Sequence, residues 1–267
     1  MKRALLFCLA FALPAFAQDS ALFPRFSVTA GAYRPDFSTD VRVNDPTITA
    51  EATEVNLERD LGLEKSQRLQ RFGLQWRPLN RHELAVSYVA SSRTGFEAID
   101  REITFRDTVY PVQAQVATTW DMDRWEATYT WWMRKTPREG FGVMLGVSTI
   151  ALDASLVANT PGSSLEITET ASTDVPVALL GAQWRMAFSE RVLAQVSAGA
   201  LPRVELGDYS GQALTADARV EYRIARALGV GIAYNYFRID GTVGRIDFDG
   251  KLAMKVSGAE AFVRLGF

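Results

Sequence analysis

Seven arginines and five carboxylates recur at alternate positions along the chain: Arg71, Arg77, Glu83, Arg124, Glu126, Arg185, Asp217, Arg219, Glu221, Arg223, Glu260 and Arg264. Three kinds of chemistry are open to such a set: proton transfer, cation binding and mutual neutralisation. Proton transfer near neutral pH is best served by His. The chain has one His, His82, in or beside a short turn-like stretch, where a turn or interface role suits it better than catalysis. Metal chemistry is equally thin. The single Cys, Cys8, lies in an N-terminal leader, so the remaining chain has carboxylates but no thiolate. Asp121-Met122-Asp123 and Asp247-Phe248-Asp249-Gly250 offer oxygens for Ca²⁺, but neither continues as an EF-hand loop, and Asp-Gly is also a plain hairpin turn. No metal and no cofactor are expected, and the reading is non-enzymatic. Neutralisation remains: an unpaired charge in a narrow interior costs several kcal/mol, so these groups are expected to pair.

What positions them is a period of two. Residues 26–32, 71–77, 83–90, 124–134, 141–148, 178–186, 192–199, 213–224, 228–236 and 258–267 alternate apolar with polar or small residues. Between Leu214 and Ile224 one face carries Asp217, Arg219, Glu221 and Arg223 in succession, and the other carries no charge. Trp76, Trp125, Trp131 and Trp184 fall on the apolar faces near segment ends, where a membrane-spanning sheet places its aromatic girdles. The charged faces then point into a lumen and the apolar faces toward lipid.

The N-terminus reads as an export signal. Met1-Lys2-Arg3 precedes an apolar run to Phe16, and Ala15-Phe16-Ala17 suits cleavage before Gln18. Removing residues 1–17 takes two of the 29 basic residues and none of the 31 acidic ones, leaving a net charge of about −4. That balance offers nucleic acid no footprint. No later run is long and apolar enough for a helical span. Connectors alternate in length. Pro78 to Arg81, Lys135 to Glu139, Ser189 to Arg191 and Arg226-Ala227 read as short turns. Residues 37–65, 93–115 and 155–174 read as long loops, and Asp208 to Gly211 and Asp249-Gly250 as tight hairpins. The first long loop is rich in acidic residues, among them Glu54, Glu58, Asp60 and Glu64, and reads as solvated surface that a partner or a cation would meet.

The chain ends on a strand whose apolar set is Ala259, Ala261, Val263, Leu265 and Phe267. This resembles the terminal strand of Gram-negative outer-membrane β-barrels, whose last Phe and alternate apolar residues serve as the assembly signal. Together with the pattern above, the likeness covers essentially residues 18–267 and is to small barrels of the OmpA-like kind. The stretches Val55 to Leu63, Arg81 to Leu84 and Ser87-Tyr88 also look like uncharacterised proteobacterial barrel proteins. The resemblance implies an all-β fold: one closed antiparallel transmembrane barrel of about ten strands, with eight longer or twelve tighter ones also fitting the length. Short periplasmic turns, longer extracellular loops and a place in the outer membrane go with it. Implied partners are outer-membrane lipid and lipopolysaccharide, the barrel-assembly machinery at the last strand, and a surface partner at the long loops. Barrel enzymes of this size, such as the omptin proteases, use His, and His82 is predicted at the wrong end for the omptin rim. The expected function is a structural or surface-interaction barrel with a salt-bridged lumen. The alternative is a small passive porin-like channel for small solutes or anions, and a barrel enzyme acting on lipid or peptide comes last.

Overall fold

A computed structural model describes residues 22–44, 52–105, 108–159, 166–244 and 249–267. The expected export signal, residues 1–17, lies outside them. The elements in chain order are β1 (Phe26–Asn44), β2 (Val55–Asn56), α1 (Leu57–Asp60), β3 (Leu69–Leu79), β4 (His82–Ala98), β5 (Ile103–Phe105), β6 (Thr108–Tyr110), β7 (Gln115–Lys135), β8 (Glu139–Asn159), β9 (Glu166–Ala187), β10 (Val192–Leu206), β11 (Tyr209–Arg223), β12 (Leu228–Gly244) and β13 (Asp249–Gly266).

Ten long strands, all but β2, β5 and β6, follow one another around an antiparallel sheet, and β13 pairs back onto β1 to close it. The seam is long. It runs from Ser27 opposite Gly266 to Asn44 opposite Asp249, and the Arg25 and Phe26 N–H groups donate to the Phe267 carbonyl at 2.6 and 3.0 Å. Closure joins the last strand to the first, so the sheet has no terminal edge strand, which a sheet in hydrocarbon requires. No helix among the described residues is long and apolar enough to cross a membrane; the strands do the crossing.

Alternation sets the two faces as predicted. Phe72, Leu74, Leu145, Leu180, Ile232 and Val263 stand exposed on the outside although they are apolar, and so do Trp76, Trp125, Trp131 and Trp184. In water such a surface would be an aggregation site; as a belt around a closed barrel it is the lipid contact. Two Trp residues of opposite parity, Trp120 and Trp132, point inward and are buried.

The strands are longer than their alternating parts. Residues 37–44, 93–98, 115–123, 149–159 and 166–174, expected wholly or partly as loops, are ladder-paired strand that stands beyond the apolar belt. In residues 115–123 and 149–159 the outer face turns polar or mixed while the inner face turns apolar, so the alternation is reversed; in the others both faces are mixed and the period of two fades while the ladder continues. The turn between β10 and β11 is Gly207-Asp208, with Leu206 opposite Tyr209; Gly211, expected in the turn, lies in β11. Gly207 takes φ +61°, which suits its lack of a Cβ. Asp249 and Gly250, also expected as a turn, open β13 opposite Gly244 and Val243.

Candidate functional site

The barrel interior is a stack of layers. At the short-turn end, Leu22 and Phe23 fold back under the lumen and pack with Trp132 and Leu193. The rings of Phe23 and Trp132 meet edge-on at 4.9 Å. Arg77 is buried here and donates to the Phe23 carbonyl at 2.8 Å. Main chain that closes the end of the barrel thus supplies one of its partners.

Above this plug the charged residues converge. Glu83 accepts both terminal nitrogens of Arg185, at 2.6 and 2.9 Å, and Glu221 accepts two from Arg264, at 2.7 and 2.8 Å. Such forked pairs are the strongest ion pairs of the Arg–carboxylate type. Glu260 accepts from Asn235 at 2.9 Å and from Arg71 at 3.3 Å, and Arg71 also bonds Asn235. Arg124 pairs with Glu126, and Arg219 with Asp217 at 3.1 Å. Aromatic faces take up cation surface that carboxylates leave over: Arg124 lies 3.9 Å from the Phe237 ring centre, and Arg185 lies 4.7 Å from that of Trp132. Room for this layer comes from small residues on the strands behind it. A Cβ at Gly31 would strike the Glu260 carboxylate, and one at Gly229 that of Glu221. Arg223, predicted with the ladder, instead lies by the short turns, where it donates to the backbone carbonyls of Glu190 and Arg226. The space left among the charges is a cavity of about 150 Å³.

The long-loop half of the lumen is apolar, which the charged faces below gave no reason to expect. Phe37, Trp120, Met122, Ile150, Leu156, Val177, Phe237, Ile239 and Met254 form one buried cluster there. Loop residues Val55, Leu57, Leu61 and Leu63 belong to it, so the first long loop folds into the barrel mouth as a cap. The expectation of a wholly solvated acidic loop is corrected here. Glu58 is buried, accepts from Arg93 at 2.5 Å and from the Thr39 N–H at 2.7 Å. Arg93 is among the most buried side chains described and stacks on Phe37 at 4.1 Å.

At the rim of this cap, Asp60 works as an anchor. Burial opposes its ionisation. Hydrogen bonds from the Arg59 guanidinium, the Asn56 N–H and Arg101 outweigh that and bring its carboxyl from the ordinary 3.8 down to about 2. A depressed folded pKa means the anchor contributes fully above the ordinary value and is lost as pH falls toward the folded one. Amide exchange in residues 55–61, corrected for its intrinsic pH dependence, is therefore expected to accelerate as pH drops from about 4 to about 2. Unaltered protection across that interval would show that Asp60 does not hold the cap.

The other expected site residues are placed as follows. Ala259, Ala261, Val263 and Leu265 share the exposed outer face of β13, next to the seam, and Phe267, also exposed, follows its end. Asp121 and Asp123 lie within β7 on the face opposite Met122, and Asp123 accepts from Tyr88 at 3.0 Å. Asp247 and Phe248 lie outside the described residues. His82 starts β4 at the short-turn end, where Nδ1 and the Tyr129 hydroxyl are 2.6 Å apart.

No protein-family model matches the chain, and no curated protein matches it. Solved structures do. The outer-membrane protease OmpT of Escherichia coli superposes with a TM-score of 0.54 at 8% identity, over 93% of this chain and 100% of that one. The transport unit of the autotransporter AIDA-I from Escherichia coli gives 0.46 at 9% identity, over 97% and 94%. Ail of Yersinia pestis gives 0.35 at 11% identity, over 90% and 99%.

Proposed function

The chain is a transmembrane β-barrel of the outer-membrane type, and we propose that it serves as a non-enzymatic, non-conducting envelope protein whose lumen is a core and whose contacts are made at its surfaces. The narrower likeness to OmpA-like barrels rests on the sequence pattern alone. The observation that carries the functional reading is the pairing of Glu83 with Arg185, Glu221 with Arg264 and Glu260 with Arg71 between strands inside the lumen, with main-chain plugging beneath. An ion crossing this layer would have to break forked pairs held in a low-dielectric interior. Chemistry has little support in the lumen. The one His is bonded to Tyr129 at the short-turn end, away from the long loops. OmpT is a protease, but at 8% identity the likeness speaks for the fold alone. The outer face of β13 suits the barrel-assembly machinery, the apolar belt suits lipid, and the rim of the cap suits lipopolysaccharide or a surface partner.

Planar-bilayer recording of the refolded protein is the test, with folding confirmed by the heat-dependent gel shift of closed barrels. A silent bilayer is expected. Discrete openings would replace this reading with the passive channel, and their ion selectivity would then report on the arginine excess.

A further inference from the structure

The barrel wall has a gap. From the turn upward β9 and β10 pair regularly until Leu180 opposite Ala200, and there the ladder stops, although both strands continue to Glu166 and Leu206. Above that point β9 pairs only with β8, and β10 shifts register and leans on β11.

The sequence explains the break. Continuing the register would set Ala178 opposite Pro202 and Pro176 opposite Val204. Phe188 N–H donates to the Val192 carbonyl at 2.9 Å. Hydrogen-bonded pairs alternate with non-bonded ones, so the even-numbered pairs carry the bonds between these strands. Pro176 and Pro202 both fall on such positions. Each lacks the N–H that would face the other strand, so two successive rungs each lose one of their two bonds. The gap opens where the outer face of β9 passes from Leu180 and Ala178 to Asp174, at the upper margin of the apolar belt.

Behind the gap lies a cavity of about 440 Å³, within the usual size of small-molecule sites. Leu57, Trp120, Leu156, Val177, Leu201 and Ile239 line it. Val55, Leu57 and Leu61 of the cap cover part of it, and Pro176, Ala178 and Val204 of the gapped wall line its side, so the gap gives it a sideways opening. Two of its lining residues, Thr118 and Trp120, are buried, and their Oγ1 and Nε1 atoms have no protein hydrogen-bond partner. A buried polar atom without a partner is a liability unless something else satisfies it.

We infer that this cavity binds a long alkyl chain bearing a carboxyl or ester oxygen, taken from the outer leaflet through the gap between β9 and β10. The apolar lining takes the chain, and the Trp120 N–H and Thr118 hydroxyl take the oxygen. A free fatty acid and an acyl chain of a glycerophospholipid share this chemistry. The inference does not depend on the conductance of the charged layer below.

Native mass spectrometry of the full-length refolded barrel, released from a polyoxyethylene detergent, tests it with two probes: hexadecanoic acid and dipalmitoylphosphatidylethanolamine. A saturable one-to-one adduct with either is expected, and the probe that gives it identifies the source. Gly241 lines the cavity, and a Cβ there meets nothing closer than the Ser210 carbonyl at 3.5 Å. Gly241→Phe should therefore fold, fill the space and lose the adduct; Ala154→Phe replaces it if the gel shift shows no closed barrel. Trp120→Phe keeps an aromatic, apolar lining and drops the donor, and should weaken the adduct. Pro176→Val with Pro202→Val restores both rungs and should slow loading. No adduct with either probe, or one that survives a folded cavity-filling variant, overturns the binding site. Loading at an unchanged rate in the double proline variant overturns the lateral route.

Discussion

Glu83→Ala is expected to lower the unfolding free energy of the barrel by about 3–5 kcal/mol, read from urea or heat denaturation in detergent. The wild-type carboxylate is 2% exposed and its partner Arg185 6%. Glu83 accepts two bonds from Arg185 and a third from Trp132 Nε1 at 3.3 Å. Removing it leaves a guanidinium deep in the lumen without a carboxylate, with the neutral Gln195 side chain still accepting from it at 2.8 Å. The loss is that of stranding a charge rather than that of a contact. It follows that the double variant Glu83→Leu with Arg185→Met should recover most of the stability, because a well-packed apolar pair removes the stranded charge as well. A cost below about 1 kcal/mol for the single variant would place the pair in the regime of solvated ion pairs. The charged layer would then be wet, and a conducting barrel would become the better reading.

The legible part of this molecule is the part that lipid touches. Hydrocarbon imposes one rule on every strand, apolar outward, so Trp76, Leu180 and Val263 could be assigned to the outer face without knowing their neighbours. Parity then fixed the ladder, since Asp217, Arg219 and Glu221 had nowhere to go but inward. Beyond the bilayer the rule lapses. Residues 115–123 form strand as regular as residues 124–134, yet Asp121 and Asp123 face outward there and the pattern reads as loop. The cap was hidden for another reason. Leu57, Leu61 and Leu63 are apolar, but their place in the core depends on strands far away in sequence. Glu58 looked solvated because its partner, Arg93, is 35 residues away. The gap was the most readable of the missed features. Pro176 and Pro202 stand at even separation from the turn between β9 and β10, and counting from that turn puts both on bonded rungs.

Glu58→Ala should release the cap without opening the barrel. Glu58 and Arg93 are 3% and 1% exposed, and the carboxylate also holds the Thr39 N–H. Stranding Arg93 costs about 3–5 kcal/mol if the surroundings stay in place. They need not, because the cap is a loop, and letting it lift rehydrates Arg93 at the price of the Leu57, Leu61 and Leu63 contacts. The expected result is fast amide exchange across residues 55–65 and new proteolytic cleavage there, with the heat-dependent gel shift retained. A second route should give the same outcome with no charge involved. The cap crosses β4 at Gly95, where an added Cβ would strike the Leu61 carbonyl and come within 2.8 Å of the Leu63 nitrogen. Backbone cannot yield as a side chain does, so Gly95→Val must displace the loop. Agreement between the two variants would assign the effect to the cap itself. If Glu58→Ala unfolds the whole barrel while Gly95→Val only loosens the loop, the buried pair belongs to the wall and the cap merely rests on it.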